Sequence, residues 1–218
     1  MRFQQLQTLL PDVSRETYEK LEAFEALFLK WSKAFNLAAP STLGHFWQRH
    51  ILDSAQLQII RRPSGIWLDI GSGGGLPGVV MAIMMSETPG GMVHLVESNG
   101  KKAAFLRNAI LETGASGVVH QVRIEDALAR VPQPEVITAR AVASLSDLLG
   151  LTGPWLDRGA IALFHKGRDF RAEVKQARDA RPFDLIEHPG RVDPASVILE
   201  IRAQTAPTAR QNGAAKET

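Results

Sequence analysis

The sequence predicts an α/β chain: a mostly parallel, seven-stranded sheet covered on both faces, preceded by a helical segment. Three observations carry this reading. Over the first 62 residues apolar side chains recur at helical spacing. From Ile66 onward short apolar runs alternate with longer helical ones. The first of those runs leads straight into a glycine-rich turn, Asp69-Ile70-Gly71-Ser72-Gly73-Gly74-Gly75-Leu76-Pro77-Gly78.

Taken in order, Ser14 stands as a helix N-cap, with Val13 and Tyr18 placed as its hydrophobic staple. Leu21, Phe24, Phe28, Trp31 and Phe35 follow at spacings of three and four, one apolar stripe. That spacing makes Trp31 and Phe35 a packing seam rather than a platform for nucleic-acid bases. Asn36 to Pro40 ends the helix, because the residue before a proline avoids the α region. Ser41 or Thr42 is expected to cap a second helix running to about Ile60. The strands then read as 66–70, 92–97, 118–122, 135–139 and 160–165, with helices over 76–85, 101–113, 145–156 and 169–181. Residues 183–187 and 197–201 form a terminal pair of strands. The division expected is therefore a helical segment over 1–62, an α/β core over 63–203, and a flexible tail over 204–218.

Composition narrows the chemistry. Of the 218 residues, 44% are hydrophobic, enough for a proper core. The absence of cysteine excludes a disulfide framework, a thiolate zinc site and a thiol nucleophile. His45 and His50 have no paired-acid frame around them, so no metal is expected. No run of apolar residues is long enough to span a membrane, and Met1-Arg2-Phe3-Gln4-Gln5 does not lead into a signal-like segment; the expected location is the cytoplasm. With a net charge of only +2, the distribution of charge says more than the sum. Lys166, Arg168, Arg171, Lys175, Arg178 and Arg181 outnumber Asp169, Glu173 and Asp179 over one stretch. That stretch either edges a phosphate-binding surface or is an ordinary solvated helix face.

The glycines of the turn permit positive φ and let a ligand approach the backbone closely. Pro77 suits the first turn of the helix that follows, whose free N–H groups and positive end would face that ligand. No lysine occurs between 71 and 100, which disfavours a nucleoside triphosphate loop. A dinucleotide fingerprint counted from Gly71 needs glycine at 76, where Leu76 stands. Counted from Gly73 it is met by Gly73, Gly75 and Gly78, so NAD and S-adenosylmethionine both stay open. Glu97, at the end of the second strand, is placed to accept from the two ribose hydroxyls that both cofactors carry; a helix-capping role fits it as well. Asp69 is placed either to shape the amino-acid end of a sulfonium cofactor or to fasten the loop.

Several ordered blocks go further: Lys30-Trp31-Ser32-Lys33-Ala34-Phe35-Asn36-Leu37, Arg49-His50-Ile51-Leu52-Asp53-Ser54, the turn through Gly78, Glu97-Ser98 with Lys101-Lys102 and Phe105-Leu106, Arg123-Ile124-Glu125, Thr138 to Leu145, and His165-Lys166-Gly167. Together they resemble the bacterial 16S ribosomal RNA guanine-N7 methyltransferases of the small-subunit 530 loop, formerly called glucose-inhibited division protein B. The resemblance runs from about residue 20 to 203. It implies a Rossmann-like class I S-adenosylmethionine-dependent methyltransferase fold, with S-adenosyl-L-methionine as cofactor and 16S rRNA, in a small subunit or an assembly intermediate, as partner. It places Gly71, Gly73 and Leu76 along the cofactor, Ile124 and Glu125 beside its adenine, and Arg140 at the mouth of the site. Glu97 stands where the family usually has Asp, a longer carboxylate that still reaches a ribose, and Asn99-Gly100 precedes Lys101.

Guanine N7 attacks through a lone pair and has no proton to lose, so the resemblance asks for no catalytic acid or base and no covalent intermediate. Rate would come from holding nucleophile and methyl in line. Arg140, just after the fourth strand, suits a guanine O6 edge, an RNA phosphate or the cofactor carboxylate. Arg123, Lys166 and Arg168 are the RNA-binding candidates. His50 and Asp53, one turn apart, either buttress the rim or join Arg49 in a helix-surface ion network.

Overall fold

The computed structural model describes residues 1–204; the expected tail, Gln204 apart, lies outside them. Two helices open the chain, α1 (Arg2–Leu9) and α2 (Arg15–Ser32). Ser14 caps α2 as expected, its hydroxyl accepting from Thr17 N at 2.9 Å. The aromatic stripe of α2 is a seam: Phe24, Phe28 and Trp31 meet Phe105 of α7 (Gly100–Thr113) with ring centroids 6.3, 5.7 and 5.5 Å away.

The second helix is not the single rod that the sequence suggests. A short α3 (Pro40–Leu43) carries Pro40 in its first turn and is N-capped by Ala39, not by Ser41 or Thr42. It stops at Gly44, and the chain resumes as a π-helical stretch, Trp47–Leu52, followed by α4 (Asp53–Ala55) and α5 (Leu57–Ile60). The wider π turn brings Trp47, His50, Ile51 and Asp53 all into buried positions. Such turns are rare and recur at functional sites.

The sheet follows: β1 (Ile66–Ile70), β2 (Met92–Val96), β3 (Gly117–His120), β4 (Val136–Arg140), β5 (Ile161–Lys166), β6 (Phe183–Pro189) and β7 (Val197–Ala203). Its spatial order is β3-β2-β1-β4-β5-β7-β6. The first five strands run parallel, and β7 lies antiparallel between β5 and β6. Side chains of β1 alternate between two cores, Trp67 toward the one shared with α2, α6 (Gly78–Met85) and α7, Leu68 and Ile70 toward the one under α9 (Leu145–Leu156) and α10 (Phe170–Ala180). A four-residue α8 (Ile124–Ala127), too short to leave a periodic signal, follows β3. Strand order reverses between β1 and β4, which opens a crevice at their carboxyl ends.

Candidate active site

The crevice at that switch point is a cavity of about 430 Å³. Gly71 to Gly74, Leu76, Glu97 and Arg140 to Val142 form its sheet side, and Leu37, Ala38, Ala39 and Thr42 form the opposite wall. Gly71, Gly73 and Gly75 have φ of +63°, +53° and +81°, the left-handed region that glycine enters freely. A Cβ at Gly71 would come within 2.7 Å of both methyls of Val142, whereas one at Gly73 would find only Gly71 O, at 3.7 Å. Gly71 is thus required by packing and Gly73 leaves a face open. Ala141, at φ +53°, is the one non-glycine residue in this region among those described, and it turns the chain after β4 so that Val142 lies over Gly71.

Glu97 is buried, and its carboxylate holds the loop by accepting from Gly73 N at 2.9 Å and Asn99 N at 2.7 Å. Each oxygen keeps a lone pair for a further donor. Asn99 caps α7, accepting from Lys101 N and Lys102 N at 3.0 and 3.1 Å, so Glu97 positions that cap rather than serving as it. Asp69 lies behind the turn, 1% exposed, and does not border the cavity. It accepts from Thr138 Oγ1 at 2.7 Å and sits against Gly78, at the positive end of α6. Burial raises its pKa to about 6.

A second cavity, about 390 Å³, adjoins the first and shares Thr42, His50, Arg140 and Ala141 with it. Arg49, Asp53, His165, Lys166, Glu173 and Asp193 add charge and hydrogen-bonding capacity to its wall. Arg140 is the partition. Its Nη1 pairs with Asp53 Oδ2 at 3.1 Å, while Nη2 donates to Arg49 O at 3.1 Å and to His50 Nδ1 at 2.9 Å. Burial lowers the pKa of Arg140 against the pull of Asp53, yet a guanidinium stays protonated. His50 is pushed down to about 4, by burial first and then by Arg140 and Arg49, and is neutral. His165, on β5 beside Arg140 in register, donates from Nε2 to Asp53 O at 3.0 Å, and burial pushes its pKa down too.

The sequence-derived residues fall into three groups. Gly71, Gly73, Leu76, Glu97 and Arg140 come together on the first cavity. Arg123 and Arg168 are exposed in the loops after β3 and β5, and Ile124 and Glu125 begin α8 without bordering either cavity. Lys166 borders the second cavity, but its amine is held by Ala143 O at 2.9 Å and Glu173 Oε2 at 2.8 Å; the same Glu173 oxygen accepts from Leu145 N at 2.7 Å. Arg49 and Asp53 do not pair. Arg49 faces Asp193 at 4.0 Å, and Asp53 faces Arg140. Of the lining residues not expected from the sequence, Leu37, Lys102, Val142 and His165 lie within the family-like blocks, which is their one signal, while Thr42 lies between two blocks and reads only as a helix cap.

A glycine turn at the switch point, an acid closing β2 and a seven-stranded sheet with an antiparallel β7 define a class I S-adenosylmethionine-dependent methyltransferase. Solved structures show the same fold. The SAH-bound methyltransferase PaMTH1 of Podospora anserina is 16% identical with a TM-score of 0.56, covering 84% of this chain and 88% of that one. A ribosomal protein L11 methylase from Lactobacillus delbrueckii subsp. bulgaricus is 15% identical with a TM-score of 0.56, over 72% of this chain and 79% of that one. Sequence relatives are much nearer. Ribosomal RNA small subunit methyltransferase G of Brucella canis is 55% identical over 201 residues, 92% of this chain and 94% of that protein, and the Brucella suis protein of the same name matches equally. The family model GidB, described as rRNA small subunit methyltransferase G, matches residues 17–189. The chain belongs to this rRNA small subunit methyltransferase G family.

Proposed function

We propose that this chain transfers the methyl group of S-adenosyl-L-methionine to N7 of the 530-loop guanine of 16S rRNA, within a small ribosomal subunit or its assembly intermediate in the cytoplasm. The observation that carries the reading is the pair of cavities that meet at Arg140 and Ala141 on the carboxyl edge of β4. The first fits the cofactor: a face left open at Gly73, apolar walls at Leu37, Leu76 and Val142, and a carboxylate with two lone pairs free at Glu97. Gly71, Gly73, Leu76, Glu97 and Arg140 would hold it, with Asp69 bracing the turn from behind and Ile124 and Glu125 closing the adenine end. S-adenosylmethionine supplies an electrophilic methyl group.

The second cavity takes the target base, unstacked from the RNA. The residues around it position rather than exchange protons: both nitrogens of His50 are engaged, Asp53 is ion-paired, and Arg140 presents a fixed charge. This suits N7, whose lone pair needs no base. Arg123 and Arg168 contact RNA phosphate from the exposed loops, while Lys166 contributes by fixing Ala143 and the start of α9. Residues 1–62 act as the wall that closes the cofactor cavity over the sheet. The test is to map N7-methylguanosine in 16S rRNA from cells with and without the gene. Loss of the mark at the 530-loop guanine is expected, and an unchanged guanine overturns the substrate.

A further inference from the structure

Between the two cavities runs a line of hydrogen bonds whose direction is fixed at every step. Arg140 has only donors, so Nη2 donates to His50 Nδ1 at 2.9 Å. Nδ1 is therefore the bare nitrogen, and the proton of the neutral ring sits on Nε2, 2.9 Å from Thr42 Oγ1. That hydroxyl accepts from the ring and donates its own proton to Ala39 O at 2.8 Å. The line begins on the sheet and ends on the opposite wall of the cofactor cavity, which Ala39 and Thr42 both border. The remaining described hydrogen bonds of that wall are local, Leu37 N to Phe35 O, Thr42 N to Ala39 O and His45 N to Thr42 O. Among the described residues, the link through His50 is thus the polar tie of that wall to β4.

We infer that His50 is a positioning residue for methyl transfer: its Nε2–H tautomer locks Arg140 to the Ala39–Thr42 wall and so holds the two sides of the cofactor cavity at one spacing. The inference rests on reading that cavity as the cofactor site. A ring protonated on Nδ1 instead would set an N–H against the guanidinium and leave the threonine hydroxyl without its donor. His50 and Asp53, three residues apart and both buried, reach Arg140 from one segment.

Two measurements on the full chain test this. Imidazole ¹⁵N–¹H correlation spectra at neutral pH should show His50 as the neutral Nε2–H tautomer in the wild-type protein. Its signals should shift in Thr42→Val, which keeps the shape of the side chain but removes the acceptor. A charged ring, or an Nδ1–H tautomer, overturns the inference. Titration with S-adenosylmethionine should give about tenfold weaker binding for Thr42→Val, the size expected when the part-buried His50 N–H loses its acceptor. Thr42→Ser, which restores the hydroxyl, should recover the larger part of that loss. Equal affinity in Thr42→Val and the wild type removes the link from cofactor binding. Failure of the wild-type protein itself to bind S-adenosylmethionine strikes the cofactor reading instead, and the spectra then judge the tautomer alone.

Discussion

The two walls of the cavity proposed for the cofactor are built by different means. The sheet-side wall is backbone: three left-handed glycines, Ser72 N on Val96 O at 3.0 Å, and Gly73 N on Glu97. The helical wall is held by side chains that reach over long stretches of sequence, Arg140 to His50 to Thr42. At Gly71 and Gly75 that backbone is packed against Val142 and Val79, so one added carbon there is costly. A side-chain line fails by degrees, one bond at a time. The contrast predicts abrupt losses on the first wall and graded, titratable ones on the second.

The largest effect is expected for Gly71→Val. The substituent combines a left-handed φ, worth about 1–2 kcal/mol, with a collision against Val142, worth about 1–3 kcal/mol when a packed core must adjust. Thermal unfolding should show a loss of roughly 2–5 kcal/mol, with no measurable S-adenosylmethionine binding. A variant with wild-type melting temperature and affinity would break the comparison. Next comes Arg140→Ala. Asp53, with a side chain only 10% exposed, would lose its ion-pair partner, and His50 and Arg49 O would each lose a donor. Because the Arg140 side chain is itself 21% exposed, the cost should fall below that of a fully buried pair, at about 2–3 kcal/mol. Stability and methyl transfer should fall together; transfer lost at unchanged stability would show that the partition is not structural.

The smallest effect is one of pH. His50 titrates near 4 in the folded chain against an ordinary 6.5. The unfolded chain takes up this proton below pH 6.5 while the native state refuses it. The stability that His50 contributes is therefore full above pH 6.5 and lost as pH falls from there through about 4. His50→Gln lacks that slope, so the gap in melting temperature between wild type and variant should narrow between about pH 7 and about pH 5. Asp69 titrates with the opposite sign in both proteins and cancels in the difference. A constant gap would mean that His50 is not held neutral by its surroundings.

Local signals were readable in the sequence. Val13-Ser14-Tyr18 marked the start of α2, and the glycine turn, Glu97 and the seven strands followed from hydrophobic period and turn chemistry. The turn alone left NAD and S-adenosylmethionine open, and the ordered blocks around it resolved them. What stayed hidden depends on distance or on unusual backbone. Arg49, His50 and Asp53 read equally as a buttress of the rim or as a helix-surface ion network; the fold sends Arg49 toward Asp193 and Asp53 toward Arg140. Arg140 meets His50 across 90 residues of sequence, a contact that no local pattern encodes. Lys166 reads as a free cation until Glu173, seven residues on, is seen to hold it. Asp69 reads as a cofactor contact or as a brace of the turn alike, because its inward aim against Gly78 of α6 is written in no local pattern.

The place of β7 carries a consequence for assembly. Among the described residues it is the last strand in chain order, yet it fills an interior slot between β5 and β6. Until it arrives, β5 keeps an open edge and β6 has no partner in the sheet. The connection into it also delivers Asp193 and Ser196 to the second cavity, and Arg191 N to Gln56 Oε1 at 2.8 Å. The walls of the first cavity can therefore take shape before β7 is in place. The second cavity, to which the proposed function assigns the RNA base, is completed only by the last of the described strands and the connection that leads into it.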